Sequence, residues 1–260
     1  MALVNFRLKH PDTIIPWGDA PDTSMHWFGL TEGEYWLDFN KATLYEYTKA
    51  VSADGVPYVE FQVARLLEDW MGIFDTIAAP VPDGFYSIAE TSNYLYRFYG
   101  AVQQFLENLP EDAVEEYDRY DKAIEWIYNR TLTAMHLNYG PGISFFRNKN
   151  KMAIVWKADY LVGNNVPVWT AGNGEIEMEY AVFVREIEDF GVRFFAAMDT
   201  QVHLAVAKDW GNTNLNKERL VQEQQERKAA FEQKLAVLKG RVGKHTDWDL
   251  INGLITEMFS

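Results

Sequence analysis

The chain has 260 residues, 48% apolar and 24% charged, enough for one large domain or two small ones and outside the composition of a disordered chain. Its net charge of −14 and isoelectric point near 4.8 argue against nucleic acid or an anionic membrane as partner, since phosphate binding draws on clustered Lys and Arg, and they favour a basic partner. The lack of cysteine excludes disulfides, thiolate metal sites and cysteine nucleophiles, and without an apolar run of signal or membrane-spanning length a cytoplasmic protein is expected.

Residues 3–8 set Val4, Phe6 and Leu8 against Leu3, Asn5 and Arg7, the alternation of a half-buried strand that Pro11 closes. A coil punctuated by Pro16, Gly18 and Pro21 follows, and Trp17 within it is expected to fold back over a sheet. From His26 to Thr48 a histidine, aromatics and carboxylates are interleaved. The alternation predicts a meander with strands near 25–30, 34–39 and 43–48, turning at Gly33 and at Asn40-Lys41. Asp54-Gly55 marks a further turn, and Pro57 suits the first position of a helix.

From Tyr58 the period becomes 3.6. Phe61, Val63, Leu66, Leu67, Trp70, Phe74 and Ile77 form one apolar face, and Pro80 to Gly84 end the helix. A second helix is expected over 85–109. A third runs to Arg130, with Glu111 and Asp112 at its positive end, and the three should make a compact antiparallel unit. Strand patterns return at 131–139, 143–146, 152–156, 166–170 and 175–179, the last two flanking an Ala-Gly-Asn-Gly turn. A long helix is expected over 178–209, and Gly191 inside it implies a kink or a close packing contact.

After Gly211 to Asn214 the charge changes sign. Residues 217–244 carry eight Lys or Arg against four Glu, leaving −15 on the first 216 residues. The helix expected at 216–239 has a thin apolar stripe of Leu220, Phe231, Leu235 and Leu238. It either crosses the acidic body as an intramolecular clamp or projects as a dimerisation arm, so the chain is a monomer or a dimer through this helix. Thr246 and Asp249 resemble a capping box that opens a last helix reaching Phe259. The fold class is therefore α+β, an antiparallel sheet packed against a cluster of amphipathic helices, with two C-terminal helices. Residues 1–210 are expected to form one domain and residues 211–260 a helical extension.

Chemistry is sparse in this pattern. His26-Trp27, with Trp17, Trp36, Glu34 and Asp38 nearby, could bind a cation, stack a planar ligand or act as a base, or simply be structural. The five histidines are dispersed without a paired spacing, so neither a metal site nor a cofactor is expected. No Gly-x-Ser-x-Gly elbow, phosphate loop or dinucleotide fingerprint is present. Glu115, Glu116, Asp118 and Asp121 form an acidic patch with Tyr117 and Tyr120 interleaved, which reads either as a solvated helix face or as a protein-binding surface.

The run Ser24-Met25-His26-Trp27-Phe28-Gly29-Leu30-Thr31-Glu32-Gly33-Glu34-Tyr35-Trp36 resembles the motif of a family of uncharacterised bacterial proteins of unknown function. The resemblance extends to Trp17-Gly18, to Tyr58 through Asp69 and to Glu186 through Val202. It implies membership and carries no catalytic assignment. In class and composition the chain is also similar to immunity proteins that neutralise bacterial toxins. That likeness implies a non-enzymatic interaction module whose partner is a basic toxin or effector domain; the alternative is a small-molecule-binding protein or enzyme using His26 and the surrounding tryptophans.

Overall fold

The computed structural model describes residues 2–52, 55–110 and 113–258. Its strands are β1 (Val4–Leu8), β2 (Glu32–Asp38), β3 (Thr43–Leu44), β4 (Val59–Gln62), β5 (Thr131–Leu132), β6 (Gly142–Asn148), β7 (Lys151–Lys157), β8 (Leu161–Val162), β9 (Val166–Pro167) and β10 (Gly174–Glu179). Its helices are α1 (Val63–Ile77), α2 (Asp83–Ala89), α3 (Ser92–Glu107), α4 (Val114–Tyr128), α5 (Tyr180–Ala207), α6 (Lys217–Gly240) and α7 (Trp248–Met258). All the strand pairing is antiparallel, and the class is α+β with helices at the C-terminal end.

The first sheet is built around β2. β1 lies along one edge, with Val4 opposite Leu37 and Leu8 opposite Gly33, while β3 and β4 share the other edge. The second sheet has the order β10-β7-β6-β5 and forms the middle layer of the molecule. The runs Ile143 to Phe146 and Met152 to Trp156 are buried throughout because both faces of this sheet are covered. Ile143, Phe145, Ile154 and Trp156 share a core with α1, α5, α6 and the first sheet. Phe146, Ala153 and Val155 instead face Tyr86, Leu95, Trp126, Ile127 and Ile251 from α2, α3, α4 and α7.

Several elements depart from their sequence pattern, each for a local reason. Residues 25–30 are not a strand. The His26 carbonyl accepts from Leu30 N–H, the Thr31 hydroxyl donates to the Phe28 carbonyl, and Gly29–Thr31 winds into a 3-10 turn. Gly33 is not a turn either. It sits inside β2, where a Cβ would stand 2.2 Å from the Arg7 carbonyl oxygen, so only glycine lets the two strands approach. Val59 to Gln62 pair with β2 before α1 begins, and Pro57 precedes this strand and not a helix. The expected helix over 85–109 is two helices, because the Thr91 hydroxyl caps a new one by accepting from Tyr94 N–H at 3.3 Å. Left-handed backbone at Ala134 and Tyr139 ends the strand expected over 131–139 after Leu132.

The expected three-helix unit is also rearranged. α1 packs on α6 and on the first sheet, whereas α4 packs on α7 and α3. β9 pairs with β8 and β10 with β7, so these two segments do not flank one hairpin. Asp247, and not Thr246, caps α7 by accepting from Leu250 N–H. Asp54, Glu111, Asp112 and Phe259, singled out in the sequence, lie outside the described residues.

The long α5 ties the layers together. Phe6 meets Phe190 and Phe194 edge-on at 5.9 and 5.7 Å, Arg193 donates to the Val4 carbonyl, and Gln201 donates to the carbonyls of Lys9 and Leu30. α6 lies across α5 and α1, burying Leu220, Phe231, Leu235 and Leu238. Phe231 rests on the bare backbone of Gly191, where an added Cβ would be 2.0 Å from the ring. Gly191→Ala should therefore lower the unfolding free energy by about 2 kcal/mol through overpacking, even though alanine is the better helix former by about 1 kcal/mol. Adding Phe231→Leu should recover part of the loss. Urea unfolding of the three proteins checks both expectations.

Candidate functional site

The hairpin residues singled out in the sequence divide between two faces. Trp27 is buried, donating its indole N–H to Gln224 Oε1 at 2.7 Å, and the Arg227 guanidinium lies 4.3 Å from its ring. His26 meets Trp17 edge-on at 4.4 Å, and its Nδ1 accepts weakly from Gly29 N–H. Burial holds the His26 pKa below its ordinary value, with Glu223 opposing and Arg227 adding. Trp27 joins this stretch to α6 through Gln224 and Arg227.

Trp36 points the other way, as the alternation of β2 requires. It stacks on Tyr58 at 4.1 Å and 12°. Around Tyr58 stand Glu46, Asp38 and Glu34. Burial first, and then these carboxylates, push its hydroxyl pKa up, while Arg7 alone opposes them. Nearby, Lys9 bridges Glu32 and Glu60 at 2.6 and 2.7 Å, so one cation serves two carboxylates. The surface therefore keeps a negative excess beside its aromatics.

A groove of about 660 Å³ opens on the same side, lined by Tyr47, Val51, Val56, Tyr58, Glu60, Asn138, Tyr139, Val162 and Val168. Its walls come from four separate stretches of chain. Left-handed backbone at Tyr45 breaks the expected 43–48 strand, and Tyr47 then bridges to Trp169 and stacks on it at 4.6 Å. The indole of Trp169 in turn donates to the Tyr139 carbonyl at 2.8 Å, setting Tyr139 at the rim. The size and the mix of apolar wall with a few polar groups are those of a binding cleft. No local pattern announces this groove. Tyr47 and Tyr58 read as strand and helix residues, and Tyr139 as part of a third element.

A second polar arrangement lies beneath the first sheet. Tyr35 on β2 and His136 in the loop after β5 approach to 2.6 Å between the hydroxyl and Nε2, and His136 Nδ1 lies 3.8 Å from Asp69 Oδ2 on α1. Burial keeps Tyr35 protonated, with its pKa well above the ordinary phenol value, and the tautomer of His136 sets which of the two groups donates in their hydrogen bond. Burial lowers His136 to about 4, with Arg65 adding, and raises Asp69 to about 6, with Arg65 opposing. At neutral pH the chain is phenol, neutral imidazole and carboxylate. The sequence showed His136 only as one of five scattered histidines; it does not meet His26 or His203, and no metal-holding group of three or more His, Asp or Glu exists among the described residues.

The acidic patch on α4 is real in charge and altered in character. Glu115, Glu116, Asp118 and Asp121 are exposed, and Arg119 is paired with Glu257 on α7. Its tyrosines turn inward: Tyr120 is 5% exposed and meets Phe105 at 4.5 Å, and the Tyr117 hydroxyl donates to the Leu106 carbonyl. This face offers charge without aromatic contact area.

A model of the family of unknown function DUF5984 matches residues 3–254. The chain belongs to DUF5984. Among curated proteins and among solved structures, none matches it. The DUF5984 match spans both sheets, the groove, the Tyr35–His136–Asp69 chain and most of α7. Among the described residues of this DUF5984 member, no helix is long and apolar enough to cross a membrane.

The buried acid and base oppose each other in their effect on stability. Asp69 titrates higher folded than its ordinary 3.8, so its contribution to stability falls as pH rises from about 4 to about 6. His136 titrates lower folded than its ordinary 6.5, so its contribution is full above that value and is lost as pH falls toward about 4. Asp69→Asn should leave stability rising from pH 4 to 6.5, and His136→Phe should leave it falling over the same window, with the native protein between them. Urea midpoints measured across that window decide it.

Proposed function

We propose that this DUF5984 member is a non-enzymatic interaction module that holds a basic segment of a partner protein in the tyrosine-lined groove beside β4, as an immunity-like protein would hold a basic toxin or effector domain. One observation carries the reading: Tyr47, Tyr58 and Tyr139 wall a groove that Glu60 also lines, and Tyr58 stands in the field of Glu46, Asp38 and Glu34, with Arg7 opposing them. Tyrosine faces attract Lys and Arg head groups and offer contact area at little entropic cost, and carboxylates around them steer and orient a cation. The exposed carboxylates of α4 add to the long-range field that draws such a partner in. The net charge of −14 supports the same direction.

A site enclosed by His26 and its tryptophans has less support, since Trp27 is buried against α6 and Trp36 stands on the opposite face of the hairpin. Calorimetric titration with a Lys- and Arg-rich hexapeptide, and with a Glu-rich one as control, tests the proposal. Only the basic peptide should bind, with affinity falling steeply between about 0.05 and 0.2 M salt as screening sets in. Tyr58→Ala, and separately Asp38→Asn with Glu46→Gln, should each weaken it by about tenfold, roughly 1.4 kcal/mol. Binding that is indifferent to salt, or undiminished in both variants, would refute the reading.

A further inference from the structure

Arg130 follows α4 and is 0% exposed, yet its guanidinium has little to hold. Nη1 donates to the Trp126 carbonyl at 2.7 Å at the negative end of α4, and the Trp248 ring lies 5.4 Å away. Nε and Nη2 are buried without a hydrogen-bond partner. Among the described residues no carboxylate is paired with this side chain, and burial lowers its pKa only to about 10, so it is charged at neutral pH. A buried cation with two open donors is costly unless an anion meets it.

Arg130 is among the residues bordering a cavity of about 300 Å³ between the end of α4 and the segment that leads into α7. Lys122, Lys244 and His245 line the same cavity, and no carboxylate is bonded to any of them among the described residues. The two acids on its wall are already engaged: Glu125 accepts from Asn129, and Asp247 caps α7. In a chain of net charge −14 this is a local reversal of sign. The planar fork of an arginine with two free N–H groups matches the oxygens of a carboxylate or a phosphate.

We propose that the cavity floored by Arg130 is a binding site for the oxyanion group of a small molecule, with Arg130 holding two oxygens and Lys244, His245 and Lys122 closing around it. The site is separate from the tyrosine groove, whose lining shares no residue with it. Its backbone frame is in place without a ligand, since Lys244 N–H is held by the Asp75 carbonyl and Phe145 N–H by that of Arg130.

Thermal unfolding of the full chain in inorganic phosphate, in malonate and in chloride, at matched ionic strength and pH 7, tests this. A saturable rise of about 3 to 5 °C at ten times the dissociation constant is expected in at least one oxyanion and none in chloride. A rise in phosphate alone assigns a phosphate ester, in malonate alone a carboxylate, and in both the shared chemistry. Arg130→Met should abolish the rise, and Lys244→Ala, at the exposed mouth, should weaken binding by about tenfold, which keeps the test decisive if Arg130→Met fails to fold. No rise in the native protein, or an undiminished one in Lys244→Ala, would overturn the proposal.

Discussion

Phe231 lying on the bare backbone of Gly191 is the contact on which the arrangement of the layers depends. It lets α6 come close enough to α5 for Gln224 to reach the Trp27 indole and for the Tyr180 hydroxyl to donate to the Leu238 carbonyl at 2.6 Å. Those bonds bury the hairpin's inner aromatics. Because side chains of β2 alternate, the same burial turns Trp36, Glu34 and Asp38 to the opposite face, where they meet Tyr58.

Charge is distributed to the same effect. The basic excess of α6 is turned onto the acidic body: Arg227 pairs with Glu68, Lys234 with Asp75, and Lys239 with Glu188. Each of these pairs is partly exposed and worth only a few tenths of a kcal/mol to about 1 kcal/mol. Their larger consequence is where they leave the unpaired charge. Carboxylates remain in excess around Tyr58 and along α4, while Lys244, beyond the end of α6, joins Lys122 and His245 near Arg130. The two proposed sites therefore differ in sign, an aromatic groove beside carboxylates and a cavity bordered by Arg130, Lys122 and Lys244.

The sequence made some of this legible. The 3.6 period around Trp70 and Phe183, the apolar runs of β6 and β7, and a glycine inside a long helix at 191, which implied a kink or a close packing contact, are local signals; the structure forms these elements and has the close contact at Gly191. Where local signals misled, a distant partner or a short-range bond had prevailed. Val59 and Phe61 fit a helical face equally well, but β2 offers them a ladder. Tyr120 sits among acids in sequence, and the helix turns it onto Phe105. The groove and the Tyr35–His136–Asp69 chain were not legible because each joins segments far apart in sequence, and no periodicity records which segments will meet.

From its residues alone the chain was determined to be acidic, free of cysteine and of class α+β, because composition and hydrophobic period depend only on neighbours a few positions away. Tertiary structure alone decided which aromatics face outward, which histidine meets a carboxylate and which arginine is left with open donors. Periodicity states that one face must be buried but not against what, and every candidate site in this protein lies at such a meeting of distant faces.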